Sequence, residues 1–260
     1  MKQLYLALLL VLVTIIATTG CHKIQPSVYA NNPITSYYMP LAIGKYITYR
    51  MDSLTFFYFG QLDTTSSYLA KDIVEDSITD NLGRPGWVVT RYLSDTTGTA
   101  PWQPAFSYVV TPTVNTIEVN ENNLRYVKLK LPMSNTVTWN GDTYLDQAPF
   151  QDEFSFSNQI NTNLWTWNFT YQNINQPFVV SNNTTYDSSV TVLQVNDSSG
   201  IPIIDTVFAS RTYWTETYAK NIGLIYRQTT MWEYQPAPPD GSEPGYKIGF
   251  GLKLSIVDHN

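Results

Sequence analysis

Reactive side chains are scarce in this sequence. Its 260 residues include one Cys and two His, and only 14% are Asp, Glu, Lys or Arg. One cysteine permits no internal disulfide. His22 lies near the start and His259 is the penultimate residue, so Ser-His-Asp and Cys-His nucleophilic systems lack their base, and His- or Cys-ligated zinc or copper sites lack their ligands. Basic residues are outnumbered, 15 Lys and Arg against 21 Asp and Glu, for a net charge of −6. That balance argues against nucleic acid, whose binders carry a clustered basic surface to displace phosphate counterions. No phosphate-cradling G-x-x-x-x-G-K-[ST] loop and no dinucleotide fingerprint occurs. Beyond residue 20 no segment is apolar enough to span a bilayer. A collagenous or disordered chain is also excluded, because 43% of the residues are hydrophobic and no Gly or Pro period exists.

The N-terminus has one positive charge, Lys2, then an apolar run over residues 4–16, then Ala17, Thr18, Thr19, Gly20 and Cys21. As a helix at about 1.5 Å per residue that run spans roughly 20 Å, short of a hydrocarbon core of roughly 30 Å, and it suits a signal peptide better than a membrane span. The Gly20-Cys21 junction resembles the lipobox of bacterial lipoproteins, with Thr18 standing where leucine is usual. The resemblance implies that residues 1–20 are removed and that Cys21 is the lipid attachment site, acylated on its sulfur and its new amino terminus. Several acyl chains, each buried CH₂ worth about 0.8 kcal/mol, hold a protein stably on a membrane. His22 in place of the inner-membrane retention aspartate implies the outer membrane. The segment His22-Lys23-Ile24-Gln25-Pro26 has no acidic export run, which favours the periplasmic face over the cell surface.

Residues 21–36, with Pro26, Asn31, Asn32 and Pro33, read as a lipidated tether, and residues 37–260 as a single β-rich domain. Thr, Tyr, Val, Ile, Phe and Trp dominate that domain, and no window of eleven or more residues carries a helical stripe. Over 124–131 the alternation puts Val127, Leu129 and Leu131 on an apolar face and Lys128 and Lys130 on the other. At the C-terminus Ile248, Phe250, Leu252, Leu254 and Ile256 form one face, opposite Gly249 and Gly251, whose missing side chains suit a coiled strand or a close approach. Further strands are expected at 45–51, 54–60, 66–78, 86–94, 105–111, 114–119, 164–171, 189–195, 206–218 and 222–234. Asn140-Gly141 and Lys220-Asn221 read as tight reversals, residues 235–246 as an exposed Pro-rich loop, and 144–160 as the one place for a short helix. Short turns between consecutive strands imply an all-β fold, a curved antiparallel meander sheet or open barrel.

The segment Tyr38-Met39-Pro40-Leu41-Ala42-Ile43-Gly44-Lys45-Tyr46-Ile47-Thr48-Tyr49 resembles the opening "Y-x-P-L-x-x-G-x-Y/W-x-x-Y" of a group of Bacteroidetes lipoproteins. Tyr218-Ala219-Lys220-Asn221-Ile222-Gly223-Leu224-Ile225 is similar to the "Y-A-x-G-V-G-L-V" element that accompanies it, with Asn221 in place of a glycine. This resemblance implies a curved antiparallel sheet and brings no activity or cofactor with it. Pro40 and Gly44 would turn the chain into the first strand, with Ile47, Tyr49 and Met51 facing inward.

Carboxylates are the remaining route to catalysis. Glu75 with Asp76, Asp146, and Asp152 with Glu153 could serve as paired acids for glycoside hydrolysis, although neighbours on a strand point to opposite faces. Calcium binding by Asp80, Asn81 or Asp240 lacks the required spacing. Aromatics, at 14%, are the positive feature. On a strand over 164–171, Trp165, Trp167, Phe169 and Tyr171 share one face, either as core or as a surface for an apolar or glycan ligand. Trp102, between Pro101 and Pro104, is expected to be the most exposed tryptophan. The composition thus favours a non-enzymatic binding or structural module without a cofactor or metal. A carrier with an apolar cavity and a carbohydrate-binding or carbohydrate-cleaving protein are the alternatives.

Overall fold

The computed structural model describes Ile34 and residues 37–260. The expected signal segment, Cys21 and nearly all of the expected tether lie outside the described residues. Twelve strands follow one another: β1 Tyr46–Phe57, β2 Leu62–Thr79, β3 Pro85–Ser94, β4 Gln103–Pro112, β5 Thr116–Glu121, β6 Leu124–Lys130, β7 Thr138–Trp139, β8 Phe169–Val179, β9 Thr185–Ser199, β10 Ala209–Ala219, β11 Gly223–Gln235 and β12 Tyr246–His259. All belong to one antiparallel sheet in the order β6-β5-β4-β3-β2-β1-β12-β11-β10-β9-β8-β7. The chain therefore starts mid-sheet, meanders outward to β6, crosses to the opposite edge, and meanders back until β12 pairs with β1. The sheet curls into a single, nearly closed barrel. We call the end where the chain enters at residues 37–45 the lower end, and the end holding the β1–β2 turn the upper end.

Local chemistry explains most of the boundaries. Residues 45–51 and 54–60, expected as two strands, form one, because Ser53 supplies no break and pairs in register between Leu252 and Ser66. Asn122 and Asn123 adopt φ of 53° and 62°, the left-handed pair that a two-residue hairpin requires, and join β5 to β6. Asn221, at φ 67°, makes the expected reversal between β10 and β11. Gly249 answers a close approach, since a Cβ there would fall 2.1 Å from the Met231 carbonyl oxygen. Its strand turns Leu254 and Ile256 into the core with Ile248, Phe250 and Leu252 packed against them. Tyr49 is buried, and Ile47 and Met51 pack against the same core.

Two further expectations are corrected. Asn140-Gly141 does not make a hairpin: β7 ends at Trp139 and pairs with β8, far along the chain. Glycine is needed at 141 for space, because a Cβ would lie 2.1 Å from the Phe169 ring. Nor do residues 164–171 form one strand. Leu164–Thr166 is a 3₁₀ turn started by the Asn163 side chain, which accepts the Trp165 amide, and β8 begins only at Phe169. The short helix falls within the expected window, at Gln151–Phe154.

The long β6–β8 connection fills the upper barrel with aromatic rings. Phe150 packs against Trp214 and Phe250, Phe154 stacks on Phe250, and Trp167 meets Trp214 edge-on at 5.1 Å. Glu233, buried on β11, pins this connection by accepting the Ser157 amide and hydroxyl.

Candidate functional site

Below the aromatic layer the interior is charged. Lys128 of β6, expected to face solvent, is 4% exposed and its Nζ lies 2.9 Å from Glu216 Oε1 of β10. Arg227 of β11 places Nε 2.8 Å from the same oxygen and donates from Nη1 to Glu121 Oε2 at 3.0 Å. The Tyr218 hydroxyl donates to the other Glu216 oxygen at 2.7 Å. Burial pushes the Glu216 carboxyl up, but Lys128 and Arg227 outweigh it and hold the group at about 2. A second cluster adjoins the first. Arg91 grips Asp72 bidentately at 2.6 Å, and Tyr108 donates to Asp72 Oδ2 at 2.9 Å. Buried charges persist when they are paired, and each of these is, although the Arg227 Nε–H beside Glu216 has no aligned hydrogen-bond acceptor.

One member is unmatched. Asp142, just beyond β7, is fully buried, and neither carboxylate oxygen has a hydrogen-bond partner among the described residues. Burial pushes its carboxyl up to about 7, with Lys128 drawing it down and Glu216 pushing it further up.

This polar layer divides two recesses. The lower one, about 60 Å³, has apolar walls including Met39, Leu41, Val89 and Val110 and a floor of Asp72, Tyr108 and Arg227. A cavity that size has room for a few water molecules and is smaller than one that takes benzene, so an acyl chain does not fit it as shaped. Residues 37–41 strap its mouth: the Asn221 amide donates to the Tyr37 carbonyl, and Tyr38 donates its hydroxyl to Asn175. The upper recess, about 130 Å³, lies between Lys128, Glu121 and Arg227 on one side and Phe150, Trp214 and Phe250 on the other. At the upper end a groove of about 540 Å³ is lined by Phe59, Gln61, Glu243, Pro244, Tyr246 and Ile248.

The structure separates the aromatics that the sequence placed on one face. Trp167, Phe169 and Tyr171 are enclosed in the core, the last two packing against Trp139. Trp165, on the 3₁₀ turn, is 57% exposed and donates its indole N–H to the Leu145 carbonyl. Trp165 and not Trp102 is thus the tryptophan most open to solvent: Trp102 is half-buried, with the Lys71 ammonium 4.7 Å over its ring. Among the carboxylates, Glu75 accepts from Thr90 and Tyr92, while Asp146, Asp152 and Glu153 are exposed. Asp80 and Asp240 accept backbone amides within their own turns. Among the described residues no group of three or more His, Cys, Asp or Glu could hold a metal ion, and no helix is long and apolar enough to cross a membrane.

Sequence reading missed Lys128, Asp142, Glu216 and Arg227. For Glu216 and Arg227 a signal existed: each is a charge inside a mostly uncharged strand, as in Thr-Tyr-Trp-Thr-Glu216-Thr-Tyr-Ala, whereas Lys128 sits among Arg125 and Lys130 and reads as one of a polar face.

No family model matches the chain, and no curated protein matches it. Among solved structures, the chain is similar to a Bacteroides fragilis protein assigned as exported, with a YMCC-like fold: 12% identity, 86% of this chain and all of that chain covered, TM-score 0.32.

Proposed function

We propose that the protein is a lipid-anchored module of the bacterial cell envelope that works by binding, with the barrel's lower end toward the membrane and its upper end presented to a ligand. The anchor rests on the Gly20-Cys21 junction, and the chain enters the barrel at its lower end, sixteen residues after Cys21. The observation that carries the binding reading is the β1–β2 turn. Tyr58 and Phe59 are held at φ 50° and 54°, a left-handed conformation that bulky residues avoid, and Phe59 is 93% exposed. Strain of this kind, at about 1–3 kcal/mol per residue, persists where something else selects for it. The neighbouring groove joins two aromatic rings, Phe59 and Tyr246, to a carboxylate and an amide, Glu243 and Gln61. Rings that can stack on a sugar beside groups that bond hydroxyls favour a glycan as ligand.

Two measurements test the two halves of this reading. Cys21→Ser is expected to move the protein from the membrane to the soluble fraction, unacylated; a variant that still floats with membranes removes the anchor. On a glycan array the wild-type chain is expected to bind, with the signal lost in a Phe59→Ala/Tyr246→Ala variant. A wild-type chain without hits, or a variant that binds equally, removes the glycan reading.

A further inference from the structure

We propose that Asp142 is a proton-operated latch on the barrel seam: protonated, it lets β6 close against the residues that follow β7, and ionised, it loosens that closure. The placement of the residue argues for this. Asp142 directly follows Gly141, whose carbonyl accepts the Val127 amide of β6 at 2.7 Å. Two residues earlier, Trp139 donates its indole N–H to the Val127 carbonyl at 2.8 Å. Any movement of the Asp142 side chain toward solvent therefore acts, one peptide away, on the bonds that satisfy Val127.

Charge counting gives the reason for movement. The buried clusters hold three cations, Arg91, Lys128 and Arg227, which match three carboxylates, Asp72, Glu121 and Glu216. Asp142 is a fourth carboxylate. The groups facing it are Lys128 and Tyr126 from β6 and Glu216 from β10, with Glu121 and Arg227 behind them. Lys128 is already committed to Glu216, so an ionised Asp142 must compete for that ammonium or reach water, and either course disturbs the seam. A neutral carboxyl has neither need. Its folded-state proton affinity exceeds that of an unfolded aspartate, about 7 against 3.8. The contribution of Asp142 to stability is therefore fully present at low pH and is lost progressively as pH rises from the unfolded value through the folded one.

The test follows the full chain by NMR. The Asp142 carboxyl carbon is expected to titrate near neutrality. The Val127 amide, corrected for intrinsic exchange, is expected to lose about tenfold in protection between about pH 6 and about pH 8, while the Met51 amide in the β1–β12 region holds. Asp142→Asn, isosteric with the protonated acid, is expected to keep Val127 protected at both values. Titration of the Asp142 carboxyl below about pH 5 overturns the proposal. So does unchanged Val127 protection in the wild type, equal losses at Val127 and Met51, or a pH-dependent loss that persists in Asp142→Asn.

Discussion

Between β1 and β12 the sheet is joined by a backbone ladder from Ile47 opposite His259 to Thr55 opposite Phe250, with one bulge at Thr48/Tyr49. Between β6 and the β7–β8 edge the joining is of another kind. One backbone bond, Val127 to Gly141, is supplemented by the Trp139 indole on the Val127 carbonyl and by the Tyr171 hydroxyl, which accepts the Lys130 amide and donates to the Lys130 carbonyl. An edge strand with unpaired amides and carbonyls invites pairing with another chain. Here side chains stand in for the missing strand at Val127 and Lys130. The lesson is that the two junctions need not fail together: a ladder distributes its load over many peptides, whereas the seam depends on a few named side chains.

The largest way to break that contrast is from across the barrel. Lys128 of the seam strand is held by Glu216 of β10, so Glu216→Ala would leave Lys128 and Arg227 buried with a lost counter-charge. Removing one partner of a buried pair costs about 3–5 kcal/mol. Chemical denaturation is expected to show a loss in that range, and hydrogen exchange should show β6 opening before the β1–β12 ladder. A loss under about 1 kcal/mol would mean the charged layer contributes little to closure.

The same contrast explains what could be read from the sequence. Strands close on one another through alternation and turn chemistry, both local, so Leu254 and Ile256 declared their core face and Asn221 its reversal without any tertiary information. The seam is built from residues far apart in the chain: Trp139 meets Val127, and Tyr171 meets Lys130, 41 positions away. Asn140-Gly141 misled for that reason, its glycine answering to the distant Phe169 ring and not to a hairpin. Lys128 misled because alternation tells two faces apart but not which is wet. In a barrel with a polar layer both faces of β6 are buried, Val127 and Leu129 on one and Tyr126 and Lys128 on the other. The aromatic run at 165–171 shows the limit of periodicity in the other direction. Trp165 left the face because Asn163 capped a 3₁₀ turn, a local bond that outweighs a pattern of large side chains.

The smallest expected effect is also the sharpest comparison of the two junctions. Tyr171→Phe keeps the ring in its packing against Trp139 and removes only the hydroxyl, leaving the Lys130 amide and carbonyl without their side-chain partner. Because Lys130 is only partly buried, water can take over some of the loss, and the expected destabilisation is about 1–2 kcal/mol, below the full penalty for enclosed orphan groups. Ser53→Ala deletes a hydroxyl from β1 in the midst of the β1–β12 ladder, where the backbone does the pairing, and is expected to change stability by no more than about 0.5 kcal/mol. Equal losses in the two variants would mean that the seam shares its load as the ladder does. A loss confined to Tyr171→Phe would locate the barrel's weak line at a single phenolic oxygen bridging β8 and β6.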